Sequence, residues 1–133
     1  MVLQTRSQKF AKESFQRIQG HPHNGEPSKE YRTVAKKFPS LIHTCGLAQA
    51  LAFVLAKKGK KNHFEAYLAD LEAVLNCVGG DPGKGLHDLV IKAQLDQYMV
   101  LSRTAIQAAG WLKRYVEAAD EDDPVQDTGE RTQ

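Results

Sequence analysis

The chain is 133 residues long, enough to close a single hydrophobic core unaided, and its two cysteines, Cys45 and Cys77, exclude a disulfide framework and read as buried small side chains of a reducing compartment. The opening MVLQTRSQKF lacks the charged start and apolar run of a signal peptide, and no stretch approaches the ~20 apolar residues of a membrane span, so the expectation is a soluble, cytoplasmic protein without a membrane partner. Of the 16 acids, seven fall in residues 117–133 beside a single base, Arg131, which turns a formal charge of +2 into a body of +8 over residues 1–116; a basic body attracts phosphates.

Helical periodicity runs along almost the whole chain, without a convincing alternation of period two. Residues 3–19 predict a first helix, with Leu3, Phe10, Ala11, Phe15 and Ile18 on one side and Lys9, Lys12 and Gln16 on the other. GHPHNGEP is a loop by its glycine, proline and asparagine content, and Ser28 caps a second helix carrying Tyr31, Val34 and Ala35. Pro39 predicts a break at Phe38, so that FPSLIHTCG becomes a short turn stopping near Gly46.

GLAQALAFVLAKKGKK, residues 46–61, then sets an apolar helix against four lysines. Only Gln49 interrupts its apolar surface, and a helix apolar all round belongs in the middle of a bundle, with Lys57 and Lys58 emerging at its C-terminal end, where the helix dipole favours cations. Asn62 and Glu65 have capping-box spacing ahead of a helix whose apolar face holds Phe64, Leu68, Leu71, Val74, Leu75 and Val78. GGDPGKG closes it. LHDLVIKAQ predicts a short helix, and residues 96–119 a long one with Tyr98, Leu101, Ala105, Ala108, Leu112 and Tyr115 on one stripe, Trp111 beside it, and Arg103, Gln107, Gly110 and Arg114 on the far side. DEDDPVQDTGERTQ contains one valine as its only large apolar side chain and reads as a solvated, disordered tail. The expected architecture is all-α: a single-domain compact helical bundle of about five to six helices in residues 1–119, followed by an acidic tail in residues 120–133.

Catalytic constellations are missing from the pattern. GGDPGKGL is one residue short of a nucleotide phosphate loop, has Gly85 where a hydroxyl residue would hold magnesium, and follows a helix rather than a strand. His21, His23, His43, His63 and His87 form no zinc-binding spacing with each other or with the cysteines and read as surface or loop histidines. Asp70 and Glu72 are two apart on a helix and face different directions. No catalytic residue, metal ligand or cofactor is expected.

The cations are the remaining signal. Lys57, Lys58, Lys60 and Lys61 crowd one helix end and turn, Arg32 lies one turn before Lys36 and Lys37, Lys9 and Lys12 share the polar side of the first helix, and Arg103, Lys113 and Arg114 lie on the last. Lysine-rich turns are solvated in most proteins, but the excess charge favours contact with phosphate, the source of sequence-independent nucleic-acid affinity. All twelve are therefore candidate nucleic-acid-binding residues.

Two stretches, KEYRTVAKKFPSLIHTCGLAQALAFVLAK and LDQYMVLSRTAIQAAGWLKRYVEAA, resemble the small-subunit family of the Cmr complex, the type III-B CRISPR effector, numbered fifth in that module. The resemblance covers roughly residues 31–119, and its most specific pieces are residues 38–53, Tyr98 with Thr104, and WLKRY at residues 111–115. It implies an all-α, non-catalytic subunit of an antiviral machine, stacked in copies as a filament beside the backbone and large subunits and helping to hold the guide RNA and its paired target RNA. RNA cutting and signalling would belong to other subunits. Of the candidate cations only Lys113 and Arg114 lie inside a matching motif. The alternative is a helical protein–protein adaptor with no direct RNA contact, its lysines serving solubility; a small nuclease lacks the required carboxylate geometry.

Overall fold

Thr5 sets the start of the first helix. Its hydroxyl accepts from the Gln8 backbone N–H at 3.1 Å while the Gln8 side chain accepts from the Thr5 N–H at 2.8 Å, a reciprocal cap that satisfies two otherwise orphaned donors; the helix therefore begins at Arg6, not at Leu3. The computed structural model describes residues 3–21, 28–58, 62–77 and 85–120. Among the described residues the chain forms helices α1 (Arg6–Gln19), α2 (Lys29–Cys45), α3 (Leu47–Lys58), α4 (Asn62–Asn76), α5 (Leu86–Lys92) and α6 (Leu95–Asp120), without a strand, packed as one all-α bundle.

Ser28 caps α2 as expected, accepting from the Tyr31 N–H at 3.2 Å, but Pro39 does not end it. The helix runs unbroken from Lys29 to Cys45 with Pro39 inside it. A proline there removes one backbone hydrogen bond and costs ~3 kcal/mol; Phe38, Ala35 and Ile42, each at most 3% exposed, offset that cost, since one fully buried large apolar side chain contributes ~1.5–3 kcal/mol. Packing overrides local propensity.

The stop comes instead at Gly46, whose φ of 89° and ψ of 159° lie in a region essentially reserved for glycine. Its N–H still bonds the Ile42 carbonyl at 2.8 Å and its carbonyl accepts from Ala50 at 3.0 Å, so α2 ends and α3 begins with a single residue between them. The Tyr98 hydroxyl of α6 accepts from the Ala48 N–H at 3.1 Å and thereby caps the first turn of α3.

The apolar α3 is not central. It buries Leu47, Ala50, Leu51 and Val54, while Ala48, Ala52, Phe53 and Ala56 face outward. Alanine is the best helix former and costs little when solvated, so three of these four outward residues reflect helix propensity and not burial. The cysteines depart from expectation too, with Cys45 exposed and Cys77 only half-buried.

At the other end of the bundle, α5 begins at Gly85 without a side-chain cap of its own. Glu72 of α4 supplies one, its carboxylate accepting from the Leu86 N–H at 2.9 Å and placing negative charge at the positive end of the helix. α6 packs on α1, α2 and α4 through Ala105, Ala108, Ala109, Leu112 and Val116. Its small residues admit close neighbours. Phe10, Tyr31, Phe38, Tyr67 and Leu71 fill the centre, where Tyr67 meets Tyr31 and Phe38 edge-on at 5.7 and 5.3 Å, the geometry aromatic quadrupoles favour.

Candidate nucleic-acid interface

The 3.6-residue period of α6 that turns its alanines inward turns Arg103, Gln107, Gly110 and Arg114 outward, as the sequence pattern predicts. Arg103, Gln107 and Arg114 are exposed, and Lys113 is half-buried beside them. Between Gln97 and Val116 the helix has no acidic residue, so this stretch presents only positive charge. The Arg114 guanidinium lies over the Trp111 ring, 5.3 Å from its centroid; Trp111 stacks with Tyr115 at 6.2 Å and 24°, and Tyr115 meets Phe15 of α1 at 5.4 Å. A cation held on an indole remains charged while its plane is oriented, which suits it to contact phosphate or a base.

The other candidates fall elsewhere. Lys9 and Lys12 are exposed on α1; Arg32 and Lys36 are half-buried on α2, and Lys37 is exposed. Lys37 borders a small groove of about 150 Å³ where α2, α3 and α4 meet, walled by Phe38, Leu41, Phe53 and Phe64. Lys57 and Lys58 end α3; their side chains, and that of His63, lie outside the described residues, as do Lys60, Lys61, His23, the segment 78–84 with Val78, and the tail beyond Asp120. Thus Arg103, Lys113 and Arg114 share one helix, with Arg103 about three turns before the adjacent Lys113 and Arg114.

Charge of the opposite sign gathers on α4 and α5, where they face α3. A cavity of about 370 Å³ there is lined by Glu65, Glu72 and Asp88 beside Leu51, Leu68 and Leu86. Three carboxylates repel phosphate, which favours α6 over this side as a polyanion contact.

The most elaborate polar cluster escaped the sequence reading. Asp70, buried on α4, receives the Arg17 Nε–H at 2.9 Å on one oxygen and the His21 Nε2–H at 2.9 Å and the Tyr31 hydroxyl on the other. Burial alone would raise the Asp70 pKa, but hydrogen bonds from His21, Tyr31 and Arg17 outweigh it and hold the carboxyl below its ordinary value. Burial, reinforced by the Asp70 charge, pushes the Tyr31 hydroxyl far above its ordinary value. His21 is no surface histidine: its side chain is 13% exposed and stands edge-on to Tyr31 at 4.4 Å. The available signal was Asp70 itself, an acid between Tyr67 and Val74 on the apolar side of its helix, since a buried carboxylate requires partners. The cluster joins α1, α2 and α4; among the described residues no nucleophile converges on it, and its chemistry is that of a staple.

Comparison with known proteins gives a consistent result. The family model described as CRISPR-associated protein (Cas_Cmr5) matches residues 6–119. The chain is 38% identical over 120 residues to the CRISPR system Cmr subunit Cmr5 of Thermus thermophilus, covering 90% of this chain and 100% of that protein. Its fold is similar to the X-ray crystal structure of a CRISPR-associated Cmr5 family protein from Thermus thermophilus, with a TM-score of 0.71 and 34% identity across 87% of this chain and 97% of the other.

Proposed function

The chain belongs to the Cmr5 family of CRISPR-associated proteins, and from that premise we propose that it is the non-catalytic, structural small subunit of a type III-B Cmr effector. In this reading residues 1–119 act as the folded unit and residues 120–133 as an acidic appendage. Copies stack head to tail beside the backbone and large subunits in the cytoplasm, and the basic surface helps to hold guide and target RNA. Base pairing between the two RNAs supplies sequence specificity, while this subunit supplies positive potential and shape. The observation that carries the reading is the acid-free outward stretch of α6, with Arg103, Lys113 and Arg114, inside the family-matched span. Lys57, Lys58, Lys60 and Lys61 join it as further candidates.

The adaptor reading has its own support. Ile91, Leu95 and Met99, at the α5–α6 corner, are 60%, 74% and 52% exposed, and apolar side chains gathered at a surface mark protein contacts. The same corner serves a stacking subunit, because head-to-tail association needs two different faces. Among the described residues no helix is long and apolar enough to cross a membrane.

Reconstitution with the other Cmr subunits, with and without this chain, tests the proposal through retention of target RNA over a salt series. RNA contact predicts weaker retention without the chain and a steeper salt dependence with it; equal retention refutes the RNA role and leaves the adaptor. Replacing the four lysines at positions 57, 58, 60 and 61 by Glu is expected to lower retention at unchanged helicity. Metal-dependent RNA cleavage by the purified chain would refute the non-catalytic assignment.

A further inference from the structure

We propose that the outward face of α6 around Gly110 is a docking site for unpaired RNA, where a base stacks on the Trp111–Arg114 pair and the sugar–phosphate backbone passes over the bare helix at Gly110. This deepens the RNA-holding reading and rests on it.

Gly110 is the starting point. It lies inside a 26-residue helix, where glycine is the worst residue after proline. The interior of this protein does not call for it: apart from its chain neighbours and its own helix backbone, no atom among the described residues lies within 4 Å of where a Cβ would stand, and the helix continues through it. Alanine would fit the fold and strengthen the helix. The missing side chain is explained by an approach from outside, since glycine lets another backbone come close.

The surroundings identify the visitor. One helical turn to either side lie Gln107 and Arg114, and Arg103 lies one turn beyond Gln107, all three exposed. The nearest acid further along the face, Glu117, is half-buried two turns past Gly110. A partner protein helix could also use a glycine notch, but it would then meet a face with two arginines on a stretch that has no acid between Gln97 and Val116. A single strand of RNA matches both features, placing phosphates against Arg103 and Arg114 and a base against the guanidinium and indole. Bases stack on aromatic rings and guanidinium planes whatever their identity, so this contact is sequence-tolerant, as a guide-directed machine requires. Trp111 is held in place by Tyr115, and Tyr115 by Phe15, so the platform is preformed.

Trp111 is the chain's single tryptophan, and its emission reports on this surface directly. The full-length chain is titrated at low salt with a short fluorescein-labelled oligouridine, following label anisotropy and Trp111 emission together. The expected result is quenching of Trp111 that saturates with the anisotropy change, both signals lost in Arg103→Glu and Arg114→Glu. Gly110→Ala is expected to raise the melting midpoint while weakening RNA binding about fivefold, a pairing that loss of folding cannot imitate. Anisotropy that rises with Trp111 emission unchanged puts the RNA elsewhere and overturns this site while sparing the RNA-holding reading. Unchanged affinity in Gly110→Ala also overturns it. Absence of RNA binding in both the lone chain and the reconstituted complex removes the parent reading. A concentration-dependent Trp111 shift without RNA, abolished by Gly110→Ala, would overturn the site by assigning the notch to protein contact.

Discussion

Asp70→Ala tests the staple between α1, α2 and α4. The substitution leaves three donors without their acceptor, and they differ in what they lose. Arg17, with 39% of its side chain exposed, rehydrates and contributes little once screening is counted. Tyr31 is 1% exposed and loses a hydrogen bond to a charged group, worth ~1.5–3 kcal/mol. His21, whose side chain is 13% exposed, adds about 1 kcal/mol, since partial solvent access softens its loss. The expected loss is therefore about 2.5–4 kcal/mol, overlapping the lower part of the ~3–5 kcal/mol typical of breaking a buried pair, measured by urea unfolding at neutral pH followed by circular dichroism. The pH dependence carries an independent sign. Because the folded carboxyl titrates below its ordinary value, its stabilisation is complete above the unfolded pKa of about 3.9 and is lost as pH falls through the folded value. The stability gap between the native chain and Asp70→Asn should narrow in that acid window. A loss under ~1 kcal/mol for Asp70→Ala, or a gap constant into strong acid, would refute the reasoning.

Three further substitutions probe the helix ends and the proline. Gly46→Ala places a side chain where the backbone has a φ of 89° and should cost about 1–3 kcal/mol in thermal or chemical unfolding. Pro39→Ala restores a donor inside α2 and should stabilise by about 1 kcal/mol or more in the same assays. Glu72→Ala removes the carboxylate that caps α5; a loss of about 0.5–2 kcal/mol, together with faster amide exchange in residues 86–92, is expected.

Much of the fold was written in residue spacing. The period of α6 separated Ala105, Ala108 and Leu112 from Arg103 and Arg114 correctly, because a long helix half-covered by neighbours needs no other information. Ser28 acted locally and was legible for that reason. Pro39 misled because its penalty is local while its compensation, the burial of Phe38 and Ile42, comes from other helices. α3 misled because alanine is counted as apolar although its presence often reflects propensity. The candidate site was legible in part: Arg103, Lys113 and Arg114 could be assigned to one helix, but the placement of Arg114 over Trp111 depends on rotamers that spacing does not specify. Asp70 was read only against Glu72, its neighbour in sequence, whereas its partners Arg17, His21 and Tyr31 lie 53, 49 and 39 positions away.

The way α1 is attached has a kinetic consequence. It buries just Phe10, Ser14 and Ile18 of its own residues, and its far end is moored by Arg17 and His21 to a single carboxylate. Elements with few apolar anchors detach below the cost of global unfolding. In native-state hydrogen exchange α1 should therefore release as one cooperative segment ahead of α4 and α6, and acid strong enough to protonate that carboxylate should speed the release.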